Sequence, residues 1–203
     1  MTPLEWFATW PDFITVRYWV AAQSDQSPAS LVATCPRGEW LLRLAISLGY
    51  PADVLLAAVR PVWLRAVRDY APRCLDDGAA EEDRTPEEAA GLRARADALR
   101  QTADDAAAAA AEAAFEASDS AERGWRDFPY GPADGPSWAG HAAESFVVGN
   151  VWGVVNYANH SAQATGYRCD SDESAAWAAE NARCADDIRT ALPDLAERWA
   201  AAL

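Results

Sequence analysis

The chain has 203 residues, with 31 acidic against 17 basic side chains and a net charge of −14. That balance argues against nucleic acid as a partner, because phosphate contacts need a basic face. It also offers no basic run to an anionic membrane. Half of the residues (51%) are hydrophobic, enough for one sizeable core in a single domain.

Helix starts recur with one grammar. Thr2-Pro3-Leu4-Glu5 places a threonine at the cap, a proline at the first helical position and a glutamate three residues after the cap. Thr85-Pro86-Glu87-Glu88 repeats it, and Asp170 to Glu173 is a weaker version. In this arrangement the hydroxyl and the carboxylate each satisfy an otherwise unpaired backbone N–H. Residues 39 to 48 carry Trp40, Leu41, Leu44, Ala45 and Leu48 at the spacing of one helical face. Gly49 then suits the left-handed position that ends a helix, and Pro51 blocks continuation.

Residues 52 to 75 read as helix again, with Pro61 expected to kink or split it. Residues 76 to 84 read as an acidic loop. The stretch from Pro86 to about Ser118, with six alanines at 106 to 111, reads as one long helix. Phe128 to Pro136 is proline- and glycine-rich and reads as a loop. Residues 137 to 164 form the most apolar predicted helix, with a strand at 146 to 155 as the competing reading. Helices at 171 to 191 and 194 to 202, separated by Pro193, close the chain. The expected fold is all-α, a single domain over residues 1 to 203 built as a bundle of about seven helices.

Much of the apolar content is alanine, which lets helices approach closely but buries little area. Ten tryptophans supply the bulk, at positions 6, 10, 19, 40, 63, 125, 138, 152, 177 and 199. Met1 to Glu5 lacks the basic start and apolar stretch of a secretory leader. No run approaches about 18 apolar residues. The expectation is therefore a cytoplasmic chain whose four cysteines (35, 74, 169 and 184) stay reduced. Their spacing contains no Cys-x-x-Cys, so neither a zinc site nor another metal or cofactor is expected.

Four features bear on function. Cys35 precedes Pro36. If Pro36 opened a helix, Cys35 would occupy the cap, where the helix dipole favours a thiolate. A nucleophile also needs a base, and the chain's two histidines, His141 and His160, lie far away in sequence. Cys35 is therefore read as structural, and no catalytic residue is assigned. The second feature is a polar stripe of His141, Glu144, Ser145, Asn156, Asn159, His160 and Gln163 on the most apolar segment. Helical steps of three and four group His141 with Glu144 and Asn156 with His160. With Trp152 these side chains could line a pocket for a small molecule. The third is the set of tryptophans, which fill a core or anchor an interface. The fourth is the acidic run Asp76, Asp77, Glu81, Glu82 and Asp83, a solvated loop or a surface for a basic partner.

Cys35-Pro-Arg-Gly-Glu-Trp-Leu-Leu-Arg-Leu-Ala-Ile-Ser-Leu-Gly49 resembles the C-P-R-G-(D/E)-W-L-L-W-L-A-x-x-L-G segment of a family of alanine-rich bacterial and phage immunity proteins. The segment from Glu81 to Glu88, which carries Glu-Asp-Arg-Thr-Pro, is similar to that family's G-E-D-R-P-R helix start. Arg183-Cys-Ala-Asp-Asp-Ile-Arg-Thr-Ala-Leu-Pro193 is similar to its closing C-A-D-I-V-R helix, which ends in Ile-Pro. The resemblance spans roughly residues 30 to 193 and has Arg43 where the family has tryptophan. It implies a helical protein that neutralises a cognate toxin by covering its surface. An acidic body of this kind would suit a basic toxin, with Asp76, Asp77, Glu81, Glu82 and Asp83 as contact residues. The alternative is a small helical enzyme or ligand-binding protein with a tryptophan-rich pocket lined by His141, Glu144, Trp152, Asn156 and His160.

Overall fold

The computed structural model describes residues 1–10, 14–121, 133–166 and 173–203. The predicted cap residues Asp170 to Asp172, Trp125, Cys169 and most of the proline-rich loop lie outside them. The helices in chain order are α1 (Pro3–Ala8), α2 (Ile14–Ala21), α3 (Pro28–Thr34), α4 (Gly38–Ser47), α5 (Ala52–Arg65), a π turn (Ala66–Tyr70), α6 (Ala71–Ala79), α7 (Pro86–Arg100), α8 (Ala107–Ala121), α9 (Asp134–Val147), α10 (Val151–Gly166), α11 (Glu173–Ala191) and α12 (Leu195–Ala202). No strand occurs among the described residues, and the fold is all-α. Counting α5, the π turn and α6 as one continuous rod, they hold eleven helices where about seven were expected. None of the helices is long and apolar enough to cross a membrane, among the described residues.

The local start and stop signals act as their chemistry requires. The backbone N–H of Glu5 donates to Thr2 Oγ1 at 3.2 Å, and that of Thr2 to Glu5 Oε2 at 2.6 Å. The pair Thr85 and Glu88 does the same at 3.3 and 3.0 Å. Part of this grammar, overlooked in the sequence, starts α3: Ser27 caps it by accepting from the Ser30 N–H and Pro28 opens it, with no glutamate at the third position. Gly49 has φ of +73°. Its N–H donates to Ile46 O, and Tyr50 N–H reaches back to Ala45 O, closing α4 with a glycine cap.

Four expectations are corrected. First, α5 runs through Pro61 unsplit, and the irregularity comes later, at the π turn. Pro72 lacks an N–H and its ring would collide with the carbonyl of Arg68 in a regular helix. Widening the preceding turn, where Ala71 N–H donates to Ala66 O, relieves that conflict. Second, residues 76 to 79 are the last turn of α6 rather than loop. Third, the long helix from Pro86 is two, α7 and α8, broken at residues 101 to 106. Arginines from the central rod hold that break open: Arg60 Nη2 donates to Asp104 O at 2.6 Å, and Arg68 Nε to Thr102 O at 2.8 Å. Fourth, residues 137 to 164 are a hairpin of helices, not one helix or a strand. Asp134, Gly135 and Pro136 already belong to α9. Gly149 (φ +76°) ends α9, and Asn150 Oδ1 accepts from Gly153 N–H to start α10.

The rod from Ala52 to Ala79 runs through the core. Leu55, Ala58, Val59, Val62, Trp63, Ala66, Val67 and Tyr70 recur at three- and four-residue steps and are buried. Against it lies the antiparallel layer α8–α9–α10. The layer's close spacing comes from small residues. Ala107, Ala110, Ala111, Ala114, Ala117 and Ala121 form one buried seam of α8, and the Phe115 ring rests on Gly140 of α9. α11 packs on α10, at the edge of that layer, and on α4 and α5. The pairs Phe7–Trp199 (5.3 Å between centroids) and Trp19–Trp40 (5.7 Å) close the end built from α1, α2, α4 and α12.

Candidate functional site

Cys35 does not sit at a helix N-terminus. It is the C-cap of α3, and α4 starts three residues later at Gly38. Its thiol is buried and donates to Arg37 O at 3.4 Å. Burial pushes its pKa up to about 12, so no thiolate forms near neutrality. The reading of Cys35 as a structural residue agrees with this setting, although the N-cap position considered for it does not.

The acidic run is dispersed. Asp76 and Asp77 are on α6, and Asp76 pairs with Arg100 of α7. Glu81 turns inward and pairs with Arg84 at 3.0 Å, both side chains nearly buried. Arg84 Nη2 also donates to Ala121 O at 2.8 Å, satisfying a carbonyl at the end of α8. Glu82 and Asp83 remain exposed. Through Arg84 they stand beside the C-terminal end of α8 in the α8–α9–α10 layer.

The polar stripe behaves differently. His141 on α9 and His160 on α10, far apart in sequence, both lie against Trp138, at 5.9 and 5.0 Å between ring centroids. Trp138 stacks on Tyr157 at 5.6 Å and 15°. Tyr157 lies 5.2 Å from His141, and Phe115 of α8 meets His141 edge-on at 5.0 Å. All five rings are only partly buried. Glu144 Oε2 stands 3.5 Å from His141 Nδ1, with the Glu144 side chain exposed and that of His141 partly so. Asn156 is half-buried one turn before His160. Trp152 is exposed near the start of α10, beside the exposed Val147 and Val148 of the hairpin turn. Asn159 faces the core, with neither amide atom hydrogen-bonded among the described residues. Among the described residues, His141, Glu144, Asn156 and His160 lie around a partly exposed aromatic face, while Ser145 and Asn159 turn inward.

Sequence reasoning missed Trp138, Tyr157 and Phe115 as members of this group. Trp138–His141 and Tyr157–His160 are spaced by three, the one local signal that could have shown them. It also missed the charge of the layer. The described residues of α8, α9 and α10 include Glu112, Glu116, Asp119, Asp134 and Glu144 but no Lys or Arg. Glu112, Phe115, Glu116 and Asp119 follow helical steps that bring them to one side of α8. An acidic stripe thus borders the rings.

A second polar group is internal. Glu180 of α11 has no exposure. It accepts from Arg65 Nη2 at 2.8 Å, from the Tyr70 hydroxyl and from the Cys184 thiol at 3.3 Å. Arg65 also reaches Asp187 at 2.6 Å, and Arg183 donates to the Tyr70 hydroxyl at 3.0 Å. Burial and the Glu180 charge push the Tyr70 and Cys184 pKa values up. For Arg65, hydrogen bonding and charge from Glu180 outweigh burial and keep it a firm cation. With the Glu180 oxygens occupied inside the core, this group joins α5 and the π turn to α11.

Among the described residues, Trp19, Trp40 and Trp199 line a core cavity of only about 10 Å³, apart from the polar stripe. Trp10, Trp40, Trp63 and Trp199 are core residues. A shallow groove of about 430 Å³ lies between α1 and α2, lined by Leu4, Ala8, Ile14, Arg17, Tyr18 and Ala21, away from the stripe. Among the described residues, no group of three or more His, Cys, Asp or Glu side chains is placed to hold a metal ion.

Comparison with known families, curated proteins and solved structures returns no match. Two of the three segments that carry the resemblance noted in the sequence, the one from Cys35 to Gly49 and the one that starts at Arg183, meet in space. Gly38 packs on Cys184, and Arg189 Nη1 donates to Cys35 O at 2.9 Å and Val32 O at 3.1 Å. Arg37 lies 4.9 Å from the Trp40 ring and 4.8 Å from that of Trp177. In this chain those motifs build the α3–α4–α11 junction.

Proposed function

We propose that this chain is an immunity-type binding protein that neutralises a basic partner by covering its surface. The observation that carries the reading is the α8–α9–α10 layer. Its outer side combines partly exposed aromatic rings with carboxylates and has no cation of its own among the described residues. Aromatic side chains are the usual energetic anchors of an interface. Carboxylates around them favour a cationic surface and raise its association rate. Exposed Glu82 and Asp83 extend the same negative border. The open setting of His141, Glu144 and His160 supports a face that meets another protein over one that encloses a small molecule.

The test is capture by the immobilised chain, at low and high salt, from an extract of its source, followed by direct binding of the purified candidate. One basic protein that is neutralised at equimolar ratio, with association slowed by salt, is the expected result. Retention of only acidic proteins, or of none at low salt, would overturn the reading.

A further inference from the structure

We infer that the face formed by Trp138, His141, Tyr157 and His160 is a docking site for an arginine side chain of the basic partner. The inference rests on the reading above and names the chemistry of its contact.

All 17 basic residues of the chain are arginines. Several of their guanidinium groups cover aromatic rings: Arg37 against Trp40 and Trp177, Arg43 at 5.7 Å from Trp10, and Arg198 at 4.2 Å from Tyr50. The Trp138–Tyr157 stack has the same ingredients with no such cover among the described residues. Carboxylates stand beside it. Among the described residues, Glu144 is tied to His141, and Glu112 and Glu116 flank Phe115 on α8 without an ion pair. A cation brought to these rings gains from the electron-rich faces of the aromatics and from the nearby negative charge. Guanidinium suits the place better than ammonium. It is planar, stacks on rings, is weakly hydrated, and retains N–H groups at its edge for carboxylates. The described part of the layer has no arginine or lysine to compete with it or repel it.

The discriminating experiment uses two probes of equal charge, an arginine homopeptide and a lysine homopeptide of the same length, titrated at several salt concentrations. The bulk charge of −14 attracts both. A stacking site makes the arginine peptide bind more tightly by about fivefold, the range of a partly exposed cation–π contact. That preference should vanish in Trp138→Ala and in Tyr157→Leu, and persist in Trp152→Ala, which removes an exposed ring outside the cluster. Thermal melts establish that each variant is folded. Tyr157→Leu keeps apolar bulk, so it answers the question even if Trp138→Ala is unstable. Equal affinity for both peptides, or a preference unchanged in the folded variants, overturns the arginine site but leaves the basic-partner reading standing. If neither peptide binds at low salt, both fall.

Discussion

Gly38 of α4 lies directly against Cys184 of α11. A methyl group built on Gly38 would stand 2.4 Å from the Cys184 Cβ and 2.8 Å from its carbonyl carbon. No rotamer change can relieve that contact, since both atoms are fixed to the backbone. The glycine of the Cys-Pro-Arg-Gly segment is therefore a condition of helix contact. Gly38→Ala should force α4 and α11 apart and destabilise the protein by about 1–3 kcal/mol or more, as overpacking does. Gly91, exposed inside α7 with nothing within 4 Å of an added Cβ, is the control. Gly91→Ala should stabilise by up to about 1 kcal/mol through helix propensity. Denaturant melts of the two variants should move in opposite directions.

Breaking the pair Arg65–Glu180 should be costly and asymmetric. Glu180 is fully buried, whereas Arg65 keeps 19% of its side chain in solvent. Arg65→Ala leaves a buried carboxylate without its cation, a loss of about 3–5 kcal/mol. Glu180→Gln removes the charge, leaves an amide that can still accept, and leaves Arg65 paired with Asp187. It should cost less. Equal losses in urea melts would show that the stranded charge of Glu180 does not govern the destabilisation.

The thiols give a sharp chemical test. Burial raises the pKa of Cys35 and Cys74 to about 12 and holds that of Cys184 well above the usual range. At pH 8 almost no thiolate exists at these positions. Iodoacetamide should leave the peptides containing them unmodified in the native protein and alkylate them after denaturation. Mass spectrometry of the digests reads this out. Rapid native labelling of Cys35 would restore it as a candidate nucleophile.

Tyr50 donates to Asp194 Oδ1 at 2.6 Å, joining the end of α4 to the start of α12. The hydrogen bond from Tyr50 comes first among the causes that hold the Asp194 carboxyl below its ordinary range. Its contribution is therefore complete above the unfolded pKa of about 4 and is lost as pH falls through the lowered folded value. The Tyr50 phenol moves the other way, up to about 12, through burial and then Asp194. Its part persists below about pH 10 and is lost as pH rises through 12. Tyr50→Phe should lower the melting temperature at pH 7, and the difference from wild type should close in strong acid.

Removing charge at Glu82 and Asp83 (Glu82→Gln with Asp83→Asn) should slow association with a basic partner more than it speeds dissociation, because rim charges act mainly on encounter. Trp138→Ala should do the reverse. Stopped-flow or surface kinetics at two salt concentrations separates the two effects. Unchanged association rates in the charge variant would remove Glu82 and Asp83 from the steering surface.

The parts of this fold that are legible in the sequence depend on neighbours three or four residues away. Thr2 with Glu5, Thr85 with Glu88 and Gly49 before Pro51 set helix ends by local hydrogen bonds and backbone freedom, so they are visible in one dimension. The break at residues 101 to 106 is not. Thr102, Asp104 and Asp105 weaken the helix locally, but the helix-forming runs on both sides read as one, and the carbonyls of Thr102 and Asp104 are taken by Arg68 and Arg60, more than thirty residues back. The break at Gly149-Asn150 did leave a local signal, hidden by an apolar pattern that continues on both sides. The aromatic face divides in the same way. Helical spacing pairs His141 with Glu144. Only the antiparallel register of α9 and α10, and the alanine seam that draws α8 to α9, brings His160, Tyr157 and Phe115 to the same rings. Side-chain steps along a helix follow from geometry within one segment. Register between helices follows from which surfaces interlock, and that is a property of the packed whole.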